Sequence, residues 1–216
     1  MNGSMEKIIV SHVDLVLGKK KILDDICLKM EKGKTYGLVG RNGSGKTMLM
    51  KCILGFVKVT SGEITVDGKR IRRDIDFPDD TGMIIETPGF IPYYSGYKNL
   101  KLLADLRHKI GDKEIREAMG RVGLDPTDKK HVKKYSLGMR QRLGIAQAVM
   151  EDSDLLVLDE PFNGLDNEGV EEMHDYFLEL KKRGKTMILV SHSSEDIDVL
   201  CDEAVYIEHG KIVARV

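Results

Sequence analysis

The chain has 216 residues, of which 41% are hydrophobic and 32% charged. That balance excludes a disordered tail and suits one globular domain, long enough to bury a core without covalent staples. Lys and Arg number 34 against 35 Asp and Glu, a net charge of −1, so no overall field favours nucleic acid or an anionic membrane.

Met1 to Ser4, ahead of Met5, are set aside from the fold. No apolar signal region opens the chain, so no export signal is expected. Its longest clean apolar runs, such as Leu155 to Leu158, fall far below the ~18 residues of a membrane helix. The first seventy residues read as strands and turns around one helix. Ile26, Leu28 and Met30 alternate with other residues, the pattern of a half-buried strand. Thr35 to Val39 is a short strand entering a glycine-rich turn, and Met48 to Phe56 reads as a helix. Glu63 to Val66 and Lys69 to Arg72, joined by Asp67-Gly68, predict a hairpin.

From Asn99 to about Met119 the pattern changes to helices with charged faces. The buried run Leu155 to Leu158 then ends in Asp159-Glu160. Val170, Met173, Phe177 and Leu180 follow at helical spacing, as one apolar stripe. Thr186 to Val190 is a further buried strand, followed by a helix through Ile197 and Leu200. Val205 to Ile207 and Lys211 to Val213, across His209-Gly210, predict a closing hairpin. Alternating strands and helices of this kind build a mainly parallel sheet. Cys27, Cys52 and Cys201 lie far apart, an odd and scattered set that suits a reducing compartment.

Gly40-Arg41-Asn42-Gly43-Ser44-Gly45-Lys46-Thr47 fits the pattern G-x-x-x-x-G-K-[ST]. Glycines let successive backbone N–H groups curl around phosphate oxygens, and the helix that follows, through Met48, points its positive end at the same anion. Lys46 is placed to reach the β- and γ-phosphates, and Thr47 to offer a hydroxyl to Mg²⁺. The bland alternative is a glycine-rich turn beside a helix. Asp159-Glu160 ends a buried strand, at the ligand edge of an open parallel sheet. Two carboxylates there are costly unless a cation shares them. Asp159 suits Mg²⁺, through water, and Glu160 suits the orienting or deprotonation of an attacking water. A structural cap is the alternative. His192, after Thr186 to Val190, falls at the same edge and is placed to donate to a γ-phosphate.

Between these motifs stands Tyr135-Ser136-Leu137-Gly138-Met139-Arg140-Gln141-Arg142. Ser136 is placed to cap the helix continuing through Gln147, and Gly138 permits close approach. Together the pieces resemble the nucleotide-binding domain of ATP-binding cassette (ABC) proteins, and the resemblance covers essentially the whole chain. Tyr135 to Met139 looks like a variant of the family's signature L-S-G-G-Q, with Tyr135, Leu137 and Met139 as departures. In the family, two domains face head to tail and each signature helix covers the partner's ATP. Asn163-Gly164-Leu165-Asp166 resembles the family's dimer-contacting aspartate loop, and Asp166 is also suited to cap the next helix.

Glu86, in Ile84-Ile85-Glu86-Thr87-Pro88, stands where the family has a glutamine linking γ-phosphate and Mg²⁺ to the membrane partner. A carboxylate favours the metal and repels the phosphate. The Glu-Thr-Pro stretch resembles ATPases of exporters that protect against lantibiotics or bacitracin. The aromatic residue on which the family often stacks adenine is replaced by Leu17, before Gly18-Lys19, which implies modest base discrimination. Phe90, Tyr93, Tyr94 and Tyr97 cluster shortly after Glu86. They read either as a local core or as a groove for a cytoplasmic helix of a transmembrane subunit. The lysines at 129, 130, 133 and 134 read as a solvated face, and no nucleic-acid role is expected.

The resemblance implies an α/β fold of P-loop NTPase type: a mainly parallel core, an antiparallel β lobe and a helical lobe. One domain is expected over 5–216, with 5–86 and 151–216 as core and β lobe, and about 87–150 as helical lobe. The function implied is an ATP-hydrolysing subunit, with ATP and Mg²⁺, attached peripherally to the inner face of the cell membrane. Its expected partners are a transmembrane permease and a second ABC domain, and export is the expected direction. Rival readings are a soluble ABC ATPase, a P-loop kinase or GTP switch, and a nucleotide-binding pseudoenzyme. The first usually carries tandem cassettes or added domains, the second leaves the signature helix and His192 unexplained, and an intact Glu160 argues against the third.

Overall fold

Two sheets divide the strands in the computed structural model, which describes residues 6–86 and 88–216. Met5, where the expected domain begins, and Thr87 of the Glu-Thr-Pro stretch lie outside the described residues. The antiparallel sheet has the order β2-β1-β4-β5, from β1 (Glu6–Leu17), β2 (Lys20–Glu31), β4 (Ser61–Val66) and β5 (Lys69–Arg70). The larger sheet has the order β10-β9-β3-β8-β7-β6. Its members are β3 (Thr35–Val39), β6 (Thr81–Ile84), β7 (Leu155–Asp159), β8 (Thr186–Val190), β9 (Glu203–Glu208) and β10 (Lys211–Arg215). All its pairings are parallel except the β9–β10 hairpin.

The central strands are apolar on both faces because both faces are covered. Leu155 and Val157 of β7 join Ile188 and Val190 of β8 in a core shared with β1, β2, β4 and helix α1 (Lys46–Ile53). The alternate residues Leu156, Leu158, Met187 and Leu189 face a second core. That core is built with α2 (Gly96–Arg107), α3 (Asp112–Arg121), α4 (Leu137–Val149), α5 (Asn167–Lys182) and α6 (Ser194–Leu200). A leucine buried in either core contributes about 1.5–3 kcal/mol relative to an exposed one.

The expected α/β architecture is present, with several local corrections. The helix expected over Met48 to Phe56 starts two residues earlier and ends at Ile53, because Gly55, at φ 78, turns the chain away. The strand expected over Lys69 to Arg72 stops at Arg70, since Arg72 sits at φ 63 and the Arg70 guanidinium is held by Asp74. The first helical stretch begins at Gly96 rather than Asn99, with Ser95 as its cap. Strands β1 and β6 carry no separate expectation.

Candidate active site

Three loops leave the same edge of the larger sheet. The phosphate-type loop follows β3, His192 follows β8 and Glu160 follows β7, and these strands are neighbours in that order. Register makes the convergence specific: Leu38 and Asp159 both lie level with Val190. Parallel pairing therefore brings Gly40 to Thr47, His192 and Asp159-Glu160 to one place, although they are far apart in sequence.

The loop ends at Gly45, whose φ of 113 is rarely open to a residue with a side chain, and no side chain caps α1. The Lys46 ammonium curls back to donate to the carbonyls of Gly40 (2.6 Å) and Arg41 (3.1 Å). Burial holds its pKa below the usual lysine range, against the opposing pull of Glu160 and Asp159. The Thr47 hydroxyl donates to Asp159 Oδ2 at 2.8 Å. The Ser44 hydroxyl is buried with no partner among the described residues.

Glu160 takes a left-handed backbone, φ 50, and its N–H donates to the Val190 carbonyl at 2.9 Å. That turn carries its carboxyl off the end of β7. The His192 N–H donates to Oε2 at 3.4 Å, and His192 Nε2 lies 3.4 Å from Oε1. Oε1 itself is buried and lacks a hydrogen bond among the described residues. Burial raises the Glu160 pKa, as does the Asp159 charge; His192 and Lys46 pull it back.

These groups share a cavity of about 370 Å³, lined by Asn42, Gly43, Gly45, Lys46, Thr47, Met48, Asp159, Glu160 and His192. Its β-lobe wall is Lys20 and Ile22. Leu17, expected to pack against a base, is half exposed and is not part of that wall. Gly40 contributes its carbonyl to Lys46 rather than cavity surface. Glu86, expected at the metal, is placed beside this cavity's α1 wall rather than in its lining. Its carboxylate is taken by Lys51 Nζ at 2.6 Å and does not line the cavity. Lys51, one turn along α1 from Thr47, holds the exposed Glu86 carboxylate there.

Ser136 and Gly138 lie in a separate cavity, with Gly164, Leu165 and Asp166. The Ser136 hydroxyl accepts from the Met139 N–H at 3.1 Å, the expected cap, and α4 runs two residues past Gln147 to Val149. A Cβ on Gly138 would sit 3.0 Å from the Gly164 carbonyl, so the signature-like turn and the aspartate loop touch within one chain. Asp166 caps α5 by accepting from the Gly169 N–H at 3.0 Å. Tyr135 is buried, its hydroxyl accepting from the Gly96 N–H at 3.3 Å.

Four structural contributors carry no expectation from the sequence. Gln141 Nε2 donates to the carbonyls of Glu160 (3.0 Å) and Pro161 (2.8 Å), tying α4 to the turn that presents the carboxylate. Its signal is local, a polar residue on the buried face of an apolar helix. Beside His192, a buried chain joins Ser191 to Asp196 and Asp196 Oδ1 to His174 Nε2, the latter at 2.8 Å. His174 lies four residues after Val170, on the apolar stripe of α5, where a polar group needs a buried partner.

A family model described as ABC transporter matches residues 23–163. An uncharacterized ABC transporter ATP-binding protein of Bacillus subtilis (strain 168), YybJ, is 46% identical over 194 residues, covering 90% of this chain and 89% of that protein. The lantibiotic transport ATP-binding protein SrtF of Streptococcus pyogenes is 39% identical over 197 residues, covering 91% and 84%. In fold, the chain is similar to the ATP-binding cassette MJ0796, solved as a dimer in a post-hydrolysis state bound to ADP and Pi. The TM-score is 0.86 at 20% identity, over 97% of each chain.

Proposed function

This chain belongs to the ABC transporter family, as an ATP-binding and ATP-hydrolysing subunit, and we propose how its own residues divide that work. The observation that carries the proposal is the convergence of Lys46, Thr47, Asp159, Glu160 and His192 on one cavity. Lys46 and the loop N–H groups hold the β- and γ-phosphates. Glu160 orients the attacking water and takes its proton at Oε1 or Oε2. His192 sits against the same carboxylate and donates to the γ-phosphate. Gln141 fixes the turn that aims Glu160.

The donor set also suits Mg²⁺. The hydroxyl of Thr47 and the carboxylate of Asp159 are hard oxygen ligands already paired at 2.8 Å. Bound there, the ion supplies charge neutralisation at the phosphates. Ser136 and Gly138 serve a nucleotide held by a second ABC domain, with Gly164 to Asp166 at the same face. In the Glu160→Gln form with saturating Mg-ATP, mass in solution is expected to double. A protein that stays single under that condition, alone and with its membrane subunits, overturns the two-domain arrangement.

The domain is taken as one unit over 5–216, with the lobes divided near 87 and 150. No helix among the described residues is long and apolar enough to cross a membrane. In this reading force reaches a bilayer through a separate transmembrane subunit at its inner face. The similarity to a lantibiotic transport protein supports export as the direction. In the aromatic cluster, Phe90 and Tyr97 pack against the helical-lobe core, whereas Tyr93 is exposed, beside exposed Ile91. That outer part is the docking surface. Asp at Tyr93 and Ile91 should reduce co-purification with the permease at least fivefold and spare nucleotide binding; unchanged assembly removes the surface from this role.

Base recognition follows from the same wall. Ile22 and Lys20 offer aliphatic packing without a π face. ATP and GTP should therefore be hydrolysed with kcat/KM values within about fivefold of each other, measured by phosphate release. A strict adenine preference would place another recognition element at the base.

A further inference from the structure

On the outer face of the β lobe, a second group of ligating side chains stands apart from the nucleotide cavity. In the β1–β2 ladder, Val10 pairs with Leu28 and Val13 with Ile26. Between those pairs β1 holds Ser11 and His12, while β2 holds Cys27 alone, so the pairing contains a bulge. Bulges re-aim side chains that regular pleating would separate. Asp25 and Cys27, two apart on β2, are both on its exposed face, with Ile26 buried between them. His12, at φ 48, is turned onto that same face.

The result is a close grouping. His12 Nδ1 lies 2.8 Å from Asp25 Oδ1 and 3.5 Å from Cys27 Sγ, and the three ligand atoms all fall within 4.8 Å of one another. The His12 N–H also donates to Cys27 Sγ at 3.3 Å. Neighbouring strands hold the arrangement in place. Asp25, itself at φ 52, donates its N–H to Asp14 Oδ1 at 2.9 Å, and Asp14 Oδ2 accepts from Ser61 of β4 at 3.0 Å. The His12 carbonyl occupies the space a Cβ on Gly62 would need, 2.2 Å away, so the bulge nests against a glycine. Two left-handed non-glycine residues, a bulge and a fitted glycine converge on three exposed ligands.

We propose that His12, Asp25 and Cys27 form a three-ligand site for Zn²⁺. Nitrogen, oxygen and sulfur donors together are the zinc set, with bond lengths of about 2.0–2.3 Å. At a tetrahedral angle those lengths put nitrogen and sulfur roughly 3.5 Å apart, the separation already present. The imidazole–carboxylate pair needs to open by about 0.5 Å, as the ion replaces the proton shared between Nδ1 and Oδ1. Binding releases that proton together with any thiol proton of Cys27. The fourth position is left to water.

Co²⁺ titration of the full chain tests the site, since cobalt reports thiolate ligation as near-ultraviolet charge-transfer absorption. Cys52 and Cys201 are held protonated by burial, which pushes each thiol up to about 12, so the signal isolates Cys27. One equivalent of Co²⁺ should produce the band and Zn²⁺ should displace it. Cys27→Ser should abolish it, and His12→Ala or Asp25→Ala should weaken binding about tenfold or more. These exposed substitutions should leave nucleotide binding unchanged. No band in tenfold excess Co²⁺, or a band that survives in Cys27→Ser, overturns the proposal.

Discussion

Glu160→Gln should bind ATP with near-normal affinity and hydrolyse it ~10² to 10⁴ times more slowly. The substitution keeps the shape and the oxygen that faces His192 but removes the capacity to accept a proton. Two features of the site make the carboxylate suited to that task. Its Oε1 is buried without a hydrogen-bond partner among the described residues, with His192 Nε2 3.4 Å away. Burial also raises its pKa, which strengthens it as a base. The pH profile adds a second readout. A base must be ionised to work, so turnover should fall on the acid side as pH drops through the raised pKa, at a higher pH than for an ordinary exposed glutamate. That acid limb should vanish from the residual rate of Glu160→Gln. Near-normal hydrolysis in the variant would remove Glu160 from the role; a retained limb would assign the titration to another group.

Lys46→Ala should lower kcat/KM for ATP by about 10² to 10³, the usual cost of losing one preorganised donor to developing charge. Unlike Glu160→Gln, it should also weaken equilibrium nucleotide binding, because the ammonium contacts ground-state phosphates as well. The present hydrogen bonds of Lys46 to Gly40 and Arg41 hold it inside the loop. Burial holds its pKa below the usual lysine range, and a bound triphosphate would favour its charged form. Fluorescent-nucleotide titration beside phosphate release separates the two effects. Unaltered affinity for the triphosphate would detach Lys46 from the phosphates.

The parts of the site that lie in one continuous stretch were legible in the chain itself. The phosphate loop declares itself because its chemistry needs glycines, a lysine and a hydroxyl at fixed neighbouring positions. The Ser136 and Asp166 caps were legible for the same reason, since a cap bonds three residues onward. Contacts between segments were not. The resemblance implies Glu86 at the metal, whereas its carboxylate accepts from Lys51, 35 residues earlier. Gln141 reads as one more polar residue of a helix until α4 is laid across the turn at Glu160.

By itself the sequence determined which residues have the chemistry for phosphate, metal and proton transfer, and where most of the strands and helices lie. Those properties depend on neighbours within a few positions and on the period of the apolar residues. Only the tertiary structure decided which of them meet. Thr47 and Asp159 stand 112 residues apart and share a hydrogen bond because β3, β8 and β7 lie side by side in parallel register. The His12, Asp25 and Cys27 grouping likewise exists only through irregularities in the β1–β2 ladder, one at His12 and one at Asp25. Strand order and register are set by how whole faces pack, and no local spacing encodes them.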